Sequence, residues 1–221
     1  MLQLSSQIPH HNSIKNIIFD FGGVICDIDI SLSEQKFKAF GPPKTISALS
    51  KKEQDHEFEK LVNQLETGNL APVKFRETIR EFYVSKPSDE AIDAAWNALL
   101  LGIPGERIKL LESIRDHYHI FLLSNSNEIH YLKYLHDFQV KFGYNDFNDL
   151  FEKAWFSFQV RLKKPDRKIF EFALSNGGLI PEETLFIDDT LVHIESARKT
   201  GINGLFLEKG DDIVDLFGDL H

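Results

Sequence analysis

IKNIIFDFGG, residues 14–23, is a short apolar run that ends in an acid and a pair of glycines. An apolar run of this length, bounded by turn residues, is typical of a buried strand. The pattern therefore predicts a β-strand that ends at Asp20 and a turn at Gly22 and Gly23. Because open α/β sheets bind ligands beyond the carboxyl ends of their strands, Asp20 is a candidate for chemistry.

The second half of the chain alternates between helical and strand patterns. Helical periodicity is found over residues 107–117 and 192–200. Apolar runs predict strands over residues 119–123, 154–158, 184–187 and 204–207. Strands that alternate with helices indicate βαβ units, so we predict a Rossmann-like parallel α/β sheet.

The region between these two parts has helical periodicity and charged faces throughout. Helices are predicted over residues 52–65, from Pro72 onward, and over 89–101 with Ser88 as the N-cap. No strand pattern interrupts the region. We therefore predict a helical cap domain at residues 31–103, inserted after the first strand into a core made of 13–30 and 104–221.

Composition limits the classes of partner. The 221 residues carry a formal net charge of −9, and such a surface repels nucleic acid and anionic lipid. Cys26 is the single cysteine, which excludes an internal disulfide and a cysteine metal cluster. The opening residues lack a signal-peptide pattern, and no apolar run approaches the roughly 18 residues of a membrane span. We expect a cytoplasmic monomer or homodimer with no nucleic-acid or membrane partner.

Polar residues follow the predicted strands at the points where they end. These are Asp20, Ser124 and the pair Asp188 and Asp189, and Lys164 lies on a loop before a predicted helix. Carboxylates that meet at one sheet edge repel by roughly 4 kcal/mol per pair near 4 Å, so they need a shared cation. Hard carboxylate oxygens select Mg²⁺. A lysine, a hydroxyl and a metal around a free carboxylate suit phosphoryl transfer to that carboxylate as nucleophile.

The same residues resemble the four motifs of the haloacid dehalogenase (HAD) superfamily, in the right order. Asp20 in IIFDFGGVICDID resembles the nucleophile, and Ser124 in IFLLSNSN the phosphate-binding hydroxyl. Lys164 in RLKKPDRKIF is similar to the stabilising lysine, and it fits that motif better than Lys163 because it directly precedes the proline. Asp188 and Asp189 in LFIDDTLVHIESARKTGI resemble the acidic pair that holds Mg²⁺.

The insertion resembles the family's cap of the first type, and some of its residues narrow the match. The segment DFGGVICDID, the turn ETGNL at residues 66–70 and Trp96 resemble the sugar-1-phosphate (glucose-1-phosphate) phosphatase branch. The resemblance implies a Mg²⁺-dependent phosphohydrolase that acts on a small phosphorylated metabolite, such as a sugar phosphate, through an aspartyl-phosphate. The implied catalytic residues are Asp20, Ser124 and Lys164; the implied phosphate ligands are Ser124, Asn125, Gly22 and Gly23; and the implied metal ligands are Asp20, Gly22, Asp188 and Asp189.

Gly22 is the main departure from the family pattern. Most phosphatases of the superfamily carry there a second aspartate that serves as general acid and base, a role typically worth about 10²–10⁴-fold in rate. The glycine can still offer its carbonyl to Mg²⁺, and Asp27 or Asp29 could replace the missing acid. Two alternatives stay open: a metal-independent dehalogenase, which the adjacent pair at 188–189 disfavours, and a phosphometabolite-binding pseudoenzyme.

Two smaller departures concern single positions. Arg161 stands where a glycine is usual, and His193 replaces a frequent asparagine. A receiver domain also combines acids, a hydroxyl and a lysine, but here the acidic pair comes last in the sequence and the large insertion is foreign to that fold. We therefore reject a receiver domain.

Overall fold

The computed structural model describes residues 11–41 and 51–217, in which strands and helices alternate. Five strands form one parallel sheet, in which the strand that ends before Asp20 is the middle one. The strands along the chain are β1 (Asn16–Phe19), β2 (Asp27–Ile28), β3 (Leu100–Gly102), β4 (His119–Ser124), β5 (Lys153–Phe156), β6 (Thr184–Asp188) and β7 (Asn203–Phe206). The sheet has the order β5-β4-β1-β6-β7, so the predicted Rossmann-like parallel sheet is confirmed.

Helices surround the sheet and form the inserted region. In chain order they are α1 (Ile30–Lys38), α2 (Lys51–Glu66), α3 (Pro72–Phe82), α4 (Asp89–Asn97), α5 (Gly105–Ile114), α6 (Glu128–Phe142), α7 (Ser157–Val160), α8 (Arg167–Gly177) and α9 (Leu191–Arg198). Short 3-10 helices cover His11–Ser13, Phe147–Asp149, Pro181–Glu183 and Ile213–Leu216. Within the described ranges, none of the helices has the length and apolar character that crossing a membrane requires.

Alternation along β1 divides the core into two layers. Successive side chains of a strand point to opposite faces, so Ile17 and Phe19 face one side and Ile18 the other. The Ile17 face packs against buried residues of α5 and α6, and the Ile18 face against buried residues of α8 and α9. All four residues of β1 are buried, and this double burial explains why the segment reads as a continuous apolar run.

The helices α1 to α4 share a third apolar cluster. Its buried members are Phe37, Leu65, Phe75, Ile79, Ile92, Ala95 and Trp96, together with Ile129 from α6. Ser88 caps α4 as predicted, since its Oγ accepts from the Ala91 N–H at 3.3 Å. The helices fall inside the predicted insertion, and the domain limits at 31 and 103 stay a prediction.

The predicted helix over residues 89–101 was too long at its carboxyl end. Helix α4 ends at Asn97. Residues Leu100–Gly102 form β3, which pairs antiparallel with β2, the short strand that follows the turn at Gly22 and Gly23. Gly102, the last residue of β3, adopts a φ of +111°, a conformation that favours glycine and is incompatible with helix at this position. The prediction of an insertion without strands was therefore wrong at this point, because the partner strand lies far away in the sequence.

A buried polar joint connects α4 of the cap region with α6 of the core. The Trp96 Nε1 donates to the Asn127 Oδ1 at 3.3 Å, and the Trp96 ring stacks on His130 with centroids 5.0 Å apart. The His130 Nδ1 lies 2.8 Å from the Asn97 Oδ1. Burial lowers the pKa of His130 to about 3, so this histidine is neutral near pH 7. The joint therefore holds the two elements together without a charge.

The depressed pKa of His130 predicts a pH-dependent stability. The neutral histidine contributes fully above pH 6.5, and its contribution is lost as the pH falls from 6.5 towards 3, because the unfolded chain then binds a proton that the folded one excludes. We expect this residue to lower the free energy of unfolding by about 2 kcal/mol between pH 7 and pH 5. Chemical denaturation of wild type and His130→Gln at the two pH values isolates this contribution, because other groups change stability with pH equally in both and the two changes should differ by about 2 kcal/mol.

His136→Gln is the matched control, because His136 lies exposed on the same helix. This variant should keep the wild-type difference between the two pH values. An equal pH dependence in wild type and His130→Gln would contradict the assignment of a neutral, buried imidazole to the joint.

Candidate active site

A buried lysine lies between two carboxyl groups at the carboxyl edge of the sheet. The Lys164 Nζ is 2.8 Å from the Asp20 Oδ1 and 2.7 Å from the Asp188 Oδ2, and its side chain is fully buried. Asp20 directly follows β1, and Asp188 ends the neighbouring strand β6. The Lys164 Nζ also lies 5.2 Å from the centre of the Phe186 ring. The structure thus brings together three of the predicted residues from distant parts of the sequence.

Asn125 fixes the backbone of this lysine. Its Oδ1 accepts from the Lys164 N–H at 2.9 Å, and its Nδ2 donates to the Lys164 carbonyl at 2.8 Å. Asn125 directly follows β4, so the clamp ties the lysine loop to the next strand of the sheet. The sequence predicted Asn125 as a phosphate ligand, whereas its side-chain amide is engaged in holding Lys164.

Three donors surround the carboxyl group of Asp188. Besides Lys164, the Thr190 N–H donates to its Oδ1 at 2.7 Å, and the His193 Nδ1 lies 3.0 Å from both oxygens. Burial opposes ionisation, but the charge of Lys164 and the hydrogen bond from His193 outweigh it and lower the pKa of Asp188 to about 2. Asp188 is therefore a carboxylate held in a fixed orientation.

Asp20 has a different balance of charges. Burial raises the pKa of Asp20 to about 8, against the lowering effect of Lys164, while the nearby charge of Asp188 raises it further. The Asp20 Oδ1 accepts from the Phe21 N–H at 2.6 Å as well as from Lys164. One lysine charge is thus shared by two buried acids, and a further positive charge nearby would favour the ionised Asp20.

The turn after β1 brings the second acid of the pair close to the first strand. Gly23 has a φ of +80°, and a Cβ on it would lie 2.0 Å from the Asp189 Oδ2. Burial and the charge of Asp188 raise the pKa of Asp189. Gly22 has more space, since its Cβ would meet only Ile28, at an ordinary 3.5 Å. The positive φ therefore favours glycine at position 23, and a side chain there would also displace the Asp189 carboxylate, whereas position 22 has space for a side chain.

Ser124 ends β4 next to the Asn125 clamp. The serine is buried, and its Oγ makes one long contact of 3.5 Å to the Asn125 carbonyl among the described residues. Such a contact is at the limit for a hydrogen bond, so the hydroxyl is left to donate to a ligand.

The two acids suggested as replacements for the missing general acid have structural partners. Asp27 accepts from the Arg107 Nη1 at 2.8 Å, and Arg107 also pairs with Asp212. Asp29 caps α1 by accepting from the Ser31 N–H at 2.9 Å. Neither acid is joined to the Lys164 cluster by the contacts of the described residues.

The structure explains the two smaller departures from the family pattern, His193 and Arg161. One ring nitrogen of His193 and one carboxyl oxygen each of Asp20 and Asp188 all lie within 4.8 Å of one another, a grouping that the sequence did not reveal. Position 193 falls in the first turn of α9, which begins three residues after Asp188. Arg161 has a φ of 58°, the left-handed conformation that favours glycine, which accounts for the residue usually found there.

The chain is similar to known proteins over nearly its whole length. It is 31% identical over 199 residues, 90% of this chain and 94% of the relative, to the D-ribitol-5-phosphate phosphatase of Bacteroides thetaiotaomicron. A solved HAD family enzyme from the same organism, in complex with magnesium and inorganic phosphate, has a TM-score of 0.78 and 34% identity, covering 92% of this chain and 98% of that one.

A predicted HAD-like family hydrolase from Porphyromonas gingivalis has a TM-score of 0.73 and 27% identity, covering 90% and 93% of the two chains. The family model described as haloacid dehalogenase-like hydrolase matches residues 17–206, a range that includes the strand before Asp20, the lysine loop and the acidic pair. The resemblance seen in the sequence is therefore confirmed, and the chain belongs to the haloacid dehalogenase-like hydrolase family.

Proposed function

We propose that this chain is a Mg²⁺-dependent phosphatase that hydrolyses a small polyol or sugar phosphate with Asp20 as the nucleophile. The observation that carries the proposal is the buried Lys164, shared between Asp20 and Asp188 at the carboxyl edge of β1 and β6. A buried positive charge beside a carboxylate suits the charge that a transferring phosphoryl group brings. The phosphatase similar to this chain supports the same reaction class.

The donor groups of the site fit Mg²⁺. The carboxyl groups of Asp20, Asp188 and Asp189 lie close together, and among the described residues Lys164 is the lysine that faces them. A divalent ion would balance the remaining negative charge. Carboxylate and carbonyl oxygens are the ligands that Mg²⁺ prefers, and the carbonyl of Gly22 would complete the protein's set. Bound there, Mg²⁺ would neutralise charge on the nucleophile and on the phosphate oxygens. The magnesium complex of the related HAD enzyme supports this assignment.

The contacts of Asp20 indicate which of its oxygens attacks. Lys164 and the Phe21 N–H both hold the Oδ1, so the Oδ2 is the oxygen left to form a bond with phosphorus. As that bond forms, the bond from phosphorus to the alcohol oxygen of the substrate breaks. Water then attacks the phosphorus of the aspartyl-phosphate, which releases inorganic phosphate and restores Asp20. Ser124 would donate to one phosphate oxygen, and Lys164 would balance the charge of another.

The leaving alcohol has no side-chain acid at position 22. With Asp27 and Asp29 engaged elsewhere, its proton would come from water or from a hydroxyl of the substrate itself. A polyol phosphate carries such hydroxyls beside the phosphate ester. A hexose 1-phosphate also carries a hydroxyl beside its ester, so the related D-ribitol-5-phosphate phosphatase is what favours a terminal polyol phosphate ahead of the hexose 1-phosphate that the narrower resemblance suggests. The cytoplasmic location and the monomeric or homodimeric state stay predictions.

The first prediction from this mechanism concerns Mg²⁺ and Asp20. Phosphate release from a panel that includes D-ribitol 5-phosphate and hexose 1-phosphates should require Mg²⁺ and stop with EDTA. Asp20→Asn should lower kcat by at least about 10³-fold, because it removes the covalent route. Asp116→Asn, a change at an exposed acid, should leave turnover unchanged.

Three outcomes of the same assay would contradict the proposal. Turnover that survives Asp20→Asn would remove this residue as nucleophile. Halide release from 2-haloacids without Mg²⁺ would favour a dehalogenase. Tight binding of phosphorylated metabolites by folded, Mg²⁺-loaded protein, with no turnover, would favour a pseudoenzyme.

The space at Gly22 allows a second prediction. Gly22→Asp should introduce the missing acid without a clash and raise kcat for D-ribitol 5-phosphate by about tenfold or more. The kcat for p-nitrophenyl phosphate should change little, because its leaving group needs no proton. Gly22→Asn has nearly the same volume but no proton to transfer, so it should not show the gain. An equal gain with asparagine would exclude general acid catalysis as its cause.

A further inference from the structure

Lys163 precedes the buried lysine of the site, but its side chain runs to the cap region. The Lys163 Nζ lies 2.6 Å from the Asn63 Oδ1 and 2.5 Å from the Glu66 Oε2. Both partners belong to the last turn of α2, and their spacing of three residues places them on one face of that helix. The cap region thus has a charged contact with the core one residue away from Lys164.

Gly68 makes a second contact at the same end of α2. It adopts a φ of +66°, and a Cβ on it would lie 2.2 Å from the carbonyl oxygen of Phe158. Phe158 belongs to α7, which leads into the loop that carries Lys163. The chain after α2 therefore rests directly on the backbone of the core, and only glycine permits this approach.

The other side of the cap region is joined to the core in a different way. Trp96, Asn127 and His130 are at most 8% exposed, and they meet through neutral groups. The side chains of Lys163 and Glu66 are 25% and 20% exposed. Water can therefore replace the charged contact when it opens, whereas separating the buried joint would expose apolar surface. The charged contact at the α2 end is therefore less costly to separate than the buried joint at α4.

We propose that Lys163 is a positioning residue for the reaction, which docks the α2 end of the cap on the loop of Lys164 by binding Glu66 and Asn63. The proposal rests on the proposed function. With the α2 end docked, the cap encloses the organic part of the substrate, while the phosphate is bound by residues of the core. Lys163 therefore acts on affinity for the polyol moiety rather than on affinity for phosphate.

Lys163→Met tests this role, because it removes the charge and keeps the apolar stem. The KM for D-ribitol 5-phosphate should rise about five- to tenfold, whereas the inhibition constant of inorganic phosphate with Mg²⁺ should change less than about twofold. The double variant Lys163→Glu with Glu66→Lys should recover most of the loss. Lys15→Met is the matched control, since it removes the 2.7 Å pair of Lys15 with Glu183 beside the amino end of β1, and it should leave both constants unchanged.

Hydrogen–deuterium exchange gives a readout that is independent of turnover. In Lys163→Met the amides of residues 64–70 should exchange faster, while those of 127–131 should keep the wild-type rate. Unchanged exchange and KM would overturn the proposal, and so would an equal rise in KM and in the phosphate inhibition constant, which would place Lys163 in the phosphate site. If the wild type hydrolyses none of the phosphates, the proposed function falls, and exchange alone decides whether Lys163 docks the cap.

Discussion

The positive charge of Lys164, fully buried between Asp20 and Asp188, is the interaction on which the rest of the site depends. A buried ammonium is stable only when carboxylates and hydrogen bonds replace the water it has lost. The partners come from β1 and β6, and Asn125 at the end of β4 holds the lysine's backbone. These three strands are neighbours in the sheet, so the strand order places all three partners around Lys164.

The same charge explains the chemistry that the site can support. A single lysine cannot fully balance the acids gathered at the sheet edge, and the opposite pKa changes of Asp20 and Asp188 express that imbalance. A cation bound at this deficit would favour the ionised form of Asp20, which the proposed role as nucleophile requires. A side chain at position 23 would meet the same crowding, because Asp189 approaches the turn after β1. Charge balance and backbone geometry therefore restrict the same few positions.

The sequence was sufficient to predict the parallel sheet and the approach of Asp20, Lys164 and Asp188. Both follow from local patterns, since apolar runs define the strands and ligands gather at their carboxyl ends. Three features were not predicted: the strand Leu100–Gly102, the contact of His193 with Asp188, and the partners of Lys163. Each depends on a partner that the chain brings near only after folding, so no pattern within one segment could reveal it. The side-chain role of Asn125 was missed for the same reason, because its partner is the backbone of a residue 39 positions away.

The core residues that contact the cap region lie next to the site residues in the sequence. Asn127 and His130 come shortly after Ser124, and Lys163 comes directly before Lys164, so the segments that carry Ser124 and Lys164 also hold the cap. Because each segment is short, the cap contacts the core within a few residues of Ser124 and of Lys164. The contacts with the cap and the groups around Asp20 therefore belong to neighbouring residues of the same segments. Under the proposed function, this arrangement would let the cap act on the organic part of the substrate while residues of the core bind the phosphate.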